Sequence, residues 1–198
     1  MRVLVACEYS GAVRDAFTKA GHDAISCDIL LSETEGKHYQ GDVRALLEDT
    51  WDLVIAHPPC TYLSNSGVSW LHKDPNRWEL MQEGADFFSL FLDCKAPKVC
   101  IENPIMHKYA KAAIGGTKYS QIVQPWMFGH MEQKATCLWL KGLPLLRSTD
   151  NVKDEMLKLS NKERQRLHYL PPSKDRAKLR SRTFTGIANA MADQWGRV

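Results

Sequence analysis

Two short runs carry the residues best suited to chemistry. In Asp52-Leu53-Val54-Ile55-Ala56-His57-Pro58-Pro59-Cys60, an apolar run delivers two prolines and then a cysteine. Proline fixes the backbone and removes an N–H donor, so Cys60 is expected on a stiff loop outside the core. There its thiolate could act as a nucleophile if positive charge or aligned dipoles favour it. A loop cysteine with no chemical task fits the same pattern. In Val99-Cys100-Ile101-Glu102-Asn103-Pro104 a carboxylate emerges from a second apolar run. Partly desolvated at that point, Glu102 would have a raised pKa and could donate a proton near neutral pH. A cap or turn is the alternative, since Asn-Pro marks turns.

A third candidate is the loop Ala6-Cys7-Glu8-Tyr9-Ser10-Gly11-Ala12. Strand, small-residue turn and helix in succession form the usual geometry for setting a cofactor against a helix N-terminus. Dinucleotide binders carry three glycines there; this loop has one. Asp28 closes a second apolar run, where an acid can accept hydrogen bonds from a ribose. Asp42 follows in Gly41-Asp42-Val43, and each acid alone also reads as a cap or turn residue.

These loops need elements to hold them. The patterning predicts strands at 2–7, 23–27, 51–56, 98–101, 121–124 and 136–140. It predicts helices at 12–20, 75–94 (capped by Asp74) and 187–195. Residues 32–41 read as a polar loop and 148–170 as a polar helical stretch broken by Pro171-Pro172. Alternating strands and helices imply an α/β fold, a mainly parallel sheet with helices on both faces. Ligands bind at the carboxyl ends of such strands, where all the candidate loops fall.

Composition excludes other classes. No run approaches the roughly 18 apolar residues of a membrane span, and the N-terminus has no signal-peptide core. The six cysteines include no Cys-x-x-Cys pair, so a reducing, cytoplasmic setting is expected instead of a disulfide scaffold. His57, His72, His107 and His130 show no metal-ligand spacing, so no metal site is expected; the six tryptophans are assigned to the core or its rim. Net charge is only +3, but residues 1–140 carry 13 Lys+Arg against 17 Asp+Glu, whereas 141–198 carry 13 against 6. That asymmetry points to a polyanion partner, or to a solvated helical face.

In this order, the motifs through Gly11, Asp28, Gly41-Asp42-Val43, Pro58-Pro59-Cys60 and Glu102-Asn103-Pro104 resemble the DNA cytosine-5 methyltransferase family. Phe128-Gly129-His130-Met131-Glu132-Gln133-Lys134-Ala135-Thr136 and Gly186-Ile187-Ala188-Asn189-Ala190-Met191 are similar to its two late motifs. The resemblance implies a Rossmann-like class I methyltransferase fold, S-adenosylmethionine as cofactor and DNA as partner. By that resemblance, Cys60 adds to C6 of cytosine, Glu102 engages N3, and Lys134 stands in for an arginine of the catalytic set. Tyr9, Ser10 and Gly11 would approach the methionine part of the cofactor. Asp28 and Ile29 would meet the ribose, Asp42 and Val43 the adenine, and Pro58 and Asn189 would line the pocket.

Three motifs depart from the family pattern: the first loop has Cys7, Tyr9 and Ser10, Thr136 replaces a second arginine, and Ala188 replaces a glycine. Relatives also insert a large target-recognition region between the late motifs, where this chain has only the 45 residues Gly142–Gly186. The expected division is therefore a methyltransferase domain, 1–141 plus 184–198, with a short basic insertion, 142–183. Arg164, Arg166, Lys174, Arg176, Lys178, Arg180 and Arg182 of the insertion are expected to grip phosphates without reading sequence. Tyr169 is expected in the core, with stacking on a base as its alternative. The resemblance implies a phage-type enzyme; the short insertion means that its sequence reading is either slight and relaxed or borrowed from an accessory subunit or a homodimer. Two alternatives stay open: a free cytosine nucleotide as substrate, or an inactive module that binds DNA or cofactor.

Overall fold

The apolar runs assemble into one seven-stranded sheet in the computed structural model, which describes residues 1–198. Its strands are β1 (Arg2–Ala6), β2 (Asp23–Asp28), β3 (His38–Gln40), β4 (Leu53–Ala56), β5 (Lys98–Pro104), β6 (Gln121–Val123) and β7 (Thr136–Lys141). The helices are α1 (Ala12–Lys19), α2 (Asn76–Leu92), α3 (Lys108–Ala113), α4 (Lys153–Leu157), α5 (Asn161–Arg164), α6 (Arg176–Ser181) and α7 (Thr185–Trp195). The spatial order is β3-β2-β1-β4-β5-β7-β6, and β7 alone runs against the rest. That order, mainly parallel with β7 reversed and helices on both faces, is a Rossmann-like α/β fold.

Alternate residues of each central strand enter opposite cores, as the pleat requires. Leu4, Ala6, Val54, Ala56, Val99 and Ile101 pack under α2 and α3. Val3, Val5, Leu53, Ile55 and Cys100 pack under α1 and α7. Burying each of the larger side chains contributes roughly 1.5–3 kcal/mol. The last helix closes the second core: Trp195 is fully buried, and its indole N–H donates to the Pro144 carbonyl at 3.0 Å.

Three expectations are corrected here. Residues 32–41 contain β3, a three-residue edge strand held by backbone pairing to β2; so short and polar a segment shows no alternation. The stretch 148–170 is not one helix. It holds α4 and α5, because the Ser160–Glu163 capping box starts a new helix within it. Residues 65–72 and α3, both given no element by the patterning, are a 3-10 turn and a helix capped by the His107 ring.

Candidate active site

The β4–β5 register pairs Ala56 with Ile101. One step further, His57 and Glu102 become cross-strand neighbours on the face shared by Ile55 and Cys100. His57 Nδ1 and Glu102 Oε2 lie 2.6 Å apart, and both side chains are largely buried. Burial opposes charge on each, yet their mutual hydrogen bond and attraction win: His57 is held above the usual histidine pKa and Glu102 below the usual carboxylate range. The raised pKa expected for Glu102 is thus corrected, because its partner is a base. The histidine was legible as a strand-end residue, but its role needed the register.

Cys60 follows on the proline-stiffened loop, partly exposed, with its carbonyl accepting from the backbone N–H groups of Leu63 and Ser64. Asn103 pins this loop from β5, its amide donating to the Pro58 carbonyl at 3.1 Å. Burial pushes the Cys60 thiol up, and the Glu102 charge adds to this; Lys134 and Arg180 pull it down without prevailing. Nearby cations therefore favour the thiolate less than desolvation opposes it. His57 Nε2 and Asn103 Oδ1 are buried without a hydrogen-bond partner. Each such group costs about 1–3 kcal/mol. Two of them at the ends of β4 and β5 mark that crevice as a place where polar ligand atoms would be stabilised.

The first loop is tightly organised. Cys7 ends β1 with φ +58, a left-handed conformation rare for a residue with a side chain. Burial raises its thiol pKa well beyond the ordinary range, as do Asp28, Cys27 and Asp42 nearby. Glu8 turns into the N-terminus of α1 and accepts from Val13 N and Arg14 N at 2.7 and 3.2 Å. A carboxylate of the chain therefore holds those donors. Ser10 Oγ donates to Glu8, and Gly11 has φ +75. Arg14, which the sequence reading passed over, is fully buried. Its guanidinium bonds Asp15, Ser26, Ser32 and Thr34 side chains and the Thr34 and Glu35 carbonyls, fastening residues 32–35 against α1.

Asp28 accepts from Leu30 N with one oxygen only, and Ile29 beside it is 74% exposed. Asp42 caps the turn at 43–45 and pairs with Arg44 at 2.7 Å, so its carboxylate is already engaged. Val43 and Pro58 are buried and Asn189 is exposed. The two late motifs meet: Gly186 N donates to His130 Nε2 at 2.9 Å, and a Cβ there would stand 1.9 Å from the Phe128 carbonyl oxygen. Only glycine permits that approach.

The basic segment is folded back onto these loops. Tyr9, at the end of β1, donates its hydroxyl to the Lys178 carbonyl and lies 2.9 Å from Ser181 Oγ. Glu33 pairs with Lys178 and Arg182 at 2.9 and 2.8 Å. Lys134 Nζ donates to the Arg180 carbonyl at 2.9 Å. Helix α6 therefore spans the carboxyl ends of the strands, from the first loop to Lys134. Arg166 pairs with the buried Glu132, Arg176 donates to the Leu170 and His168 carbonyls, and Arg164 to the Asn161 side chain. Of the seven cations expected to face phosphate, five are engaged within the chain; Lys174 and Arg180 have side chains without such partners. A run of cations in sequence does not disclose acids brought in from elsewhere. Tyr169, expected mainly in the core, is 51% exposed against the His168 edge, and Trp70 and Trp78 are also exposed.

The sequence matches no protein-family model and no curated protein. Among solved structures it is similar to a putative DNA modification methyltransferase encoded within an E. coli prophage, at 17% identity and TM-score 0.45, covering 81% of this chain and 56% of that one. It is similar to an Entamoeba histolytica methyltransferase at 17% identity and TM-score 0.45, covering 76% and 57%. A third, at 13% identity and TM-score 0.44, is the magnesium protoporphyrin IX methyltransferase of Synechocystis with bound S-adenosylmethionine, covering 70% and 69%. The chain spans little more than half the length of the first two. The fold assignment stands on the strand order, and what those proteins bind or modify belongs to them. No helix is long and apolar enough to cross a membrane.

Proposed function

We propose that this chain transfers a methyl group from S-adenosylmethionine to C5 of cytosine in DNA through a covalent adduct on Cys60. The observation that carries the reading is the meeting of Cys60 and Glu102 at the ends of adjacent strands, beside Lys134. Residues 142–183 take the place of a target-recognition domain, and an accessory subunit or second copy supplies the recognition. Asp28 has one carboxylate oxygen without a partner, and Ile29 offers an uncovered apolar side chain. An acid for ribose hydroxyls and an apolar surface for a purine suit that cofactor; Tyr9, Ser10, Gly11, Val43, Pro58 and Asn189 complete the set. When bound, it supplies an electrophilic methyl group.

The residues of the chain do the rest. The Cys60 thiolate forms a bond to C6, a nucleophilic step that makes C5 electron-rich. Glu102 holds N3 and stabilises the charge that develops in the ring. Lys134 lowers the cost of both the thiolate and the Glu102 carboxylate. A base within a duplex cannot reach this crevice, so duplex DNA requires base flipping, at a cost of a few kcal/mol.

Incubation with methyl-tritiated S-adenosylmethionine and duplex DNA, single-stranded DNA or dCMP tests the reading. Label is expected on DNA and lost in Cys60→Ser, and 5-fluorocytosine DNA is expected to trap an adduct that mass spectrometry places on Cys60. An adduct elsewhere, or label that survives the serine substitution, overturns the nucleophile. The internally paired cations favour one second reading, a free cytosine nucleotide, for which label would appear on dCMP alone. No label on any substrate, with the cofactor still bound, would leave a binding module.

A further inference from the structure

We propose that His57 and Glu102 form one proton-holding pair, in which His57 supplies the proton that Glu102 lends to N3 of the substrate cytosine. The inference rests on the cytosine reading above. It starts from geometry: the imidazole and the carboxylate are set side by side by the β4–β5 register, with Nδ1 and Oε2 2.6 Å apart. The backbone holds the imidazole in turn, since His57 N donates to the Ala6 carbonyl at 2.9 Å and extends the β1–β4 ladder past the strand end. Nε2 is buried and has no hydrogen-bond partner, so Glu102 is the sole protein group through which the ring can exchange a proton by a hydrogen bond.

The charged groups around the pair explain why the proton stays there. Burial works against the imidazolium, but Glu102 on β5 and Glu8 from the first loop both favour it. Lys134, from the segment before β7, opposes the imidazolium and supports the Glu102 carboxylate. In the proposed resting pair the imidazolium donates to the carboxylate.

The chemistry balances. Before attack, Cys60 gives its thiol proton to water. As sulfur bonds to C6, the C5=C6 π pair becomes C4=C5, and the C4=N3 π pair becomes a lone pair on N3. Glu102 takes the Nδ1 proton, leaving neutral His57, and as a neutral carboxylic acid passes a proton to N3. After C5 has gained its methyl group and lost its proton to water, C5=C6 re-forms and the S–C6 bond breaks. The N3 proton returns to Glu102 and then to His57. The loan is repaid within each turnover, and His57 acts through Glu102 as a positioning residue.

Two measurements on the full chain test this. In the first, side-chain NMR follows His57 through a pH titration in the wild type and in Glu102→Gln. The wild-type midpoint is expected above that of an ordinary histidine, falling in the variant, where Glu8 alone is left to oppose burial; an unchanged midpoint overturns the pair. In the second, His57→Asn keeps a donor near the place of Nδ1 but carries no transferable proton. Methyl transfer is expected to drop more than tenfold, with the alkaline limb of kcat/KM moving to lower pH, because the lent proton then resides on a carboxyl group alone. A profile that keeps its limbs in His57→Asn overturns the loan while the methyltransferase reading stands. If the wild type neither labels nor traps any cytosine substrate, the cytosine reading and the loan fail together, and the titration alone reports whether the ion pair exists.

Discussion

Cys60 is placed by proline and strand end, but its reactivity is set by opposing neighbours. Burial and Glu102 raise its thiol pKa, and Lys134 and Arg180 lower it. Removing the charge in Lys134→Met therefore raises the pKa further and reduces the thiolate present at neutral pH. Alkylation of Cys60 by iodoacetamide, followed peptide by peptide across pH, is expected to rise at higher pH in the variant than in the wild type. A midpoint that stays fixed would show that Lys134 acts elsewhere. The same lysine supports ionised Glu102, so one side chain biases the proposed nucleophile and the proposed acid alike. None of this balance is legible in the motif Pro-Pro-Cys, which gives location and leaves the field to residues about 40 and 75 positions away.

Among the elements, α1 and the loop after β2 depend on a single buried cation. Arg14 satisfies side chains on α1, β2 and the following loop, and Glu8 accepts from its backbone N–H. Removing it strands several acceptors in a dry site. Arg14→Ala is expected to cost about 3 kcal/mol of stability, read from denaturant unfolding. A loss below about 1 kcal/mol would mean that water replaces the guanidinium without penalty. The sequence marks α1, β1, β2, β6 and β7 to within one residue at each end; β1 and β4 show as continuous apolar runs, and α2 and α7 through helical periodicity. β3 escaped because a three-residue edge strand is specified by its neighbour's backbone, and α5 because a capping box of Ser160 and Glu163 outweighs the polar continuity around it.

For the molecule as a whole, the contrast between an acidic body and a basic end acquires a different meaning once the chain is folded. Glu33 and Glu132 of the body hold Arg166, Lys178 and Arg182 of the basic segment, so part of the charge asymmetry is spent on docking α6 across the strand ends. Those pairs are partly exposed, and each is worth at most about 1 kcal/mol. If DNA is the substrate as proposed, its affinity should consequently depend on salt less steeply than seven phosphate contacts require. A double-logarithmic slope of about −2 to −3 is expected from fluorescence anisotropy, against about −6 if all seven cations met phosphate. The steeper value would show that DNA strips these cations from Glu33 and Glu132, opening α6 from the site.

The sequence by itself determined the α/β alternation, the apolar strands that lead to Cys60 and Asp28, and the placement of positive charge after residue 141. Those features are local: periodicity, proline and glycine act within a few residues of their own position. Strand β5 runs three residues past its predicted end and takes in Glu102, because β7 pairs with it there. Only the tertiary structure decided that His57 pairs with Glu102, that Glu8 fills the α1 N-terminus, and that the basic segment is tied to acids more than a hundred residues away in one case. These depend on which strands become neighbours and in what register, and hydrogen bonding and desolvation act through space at those contacts.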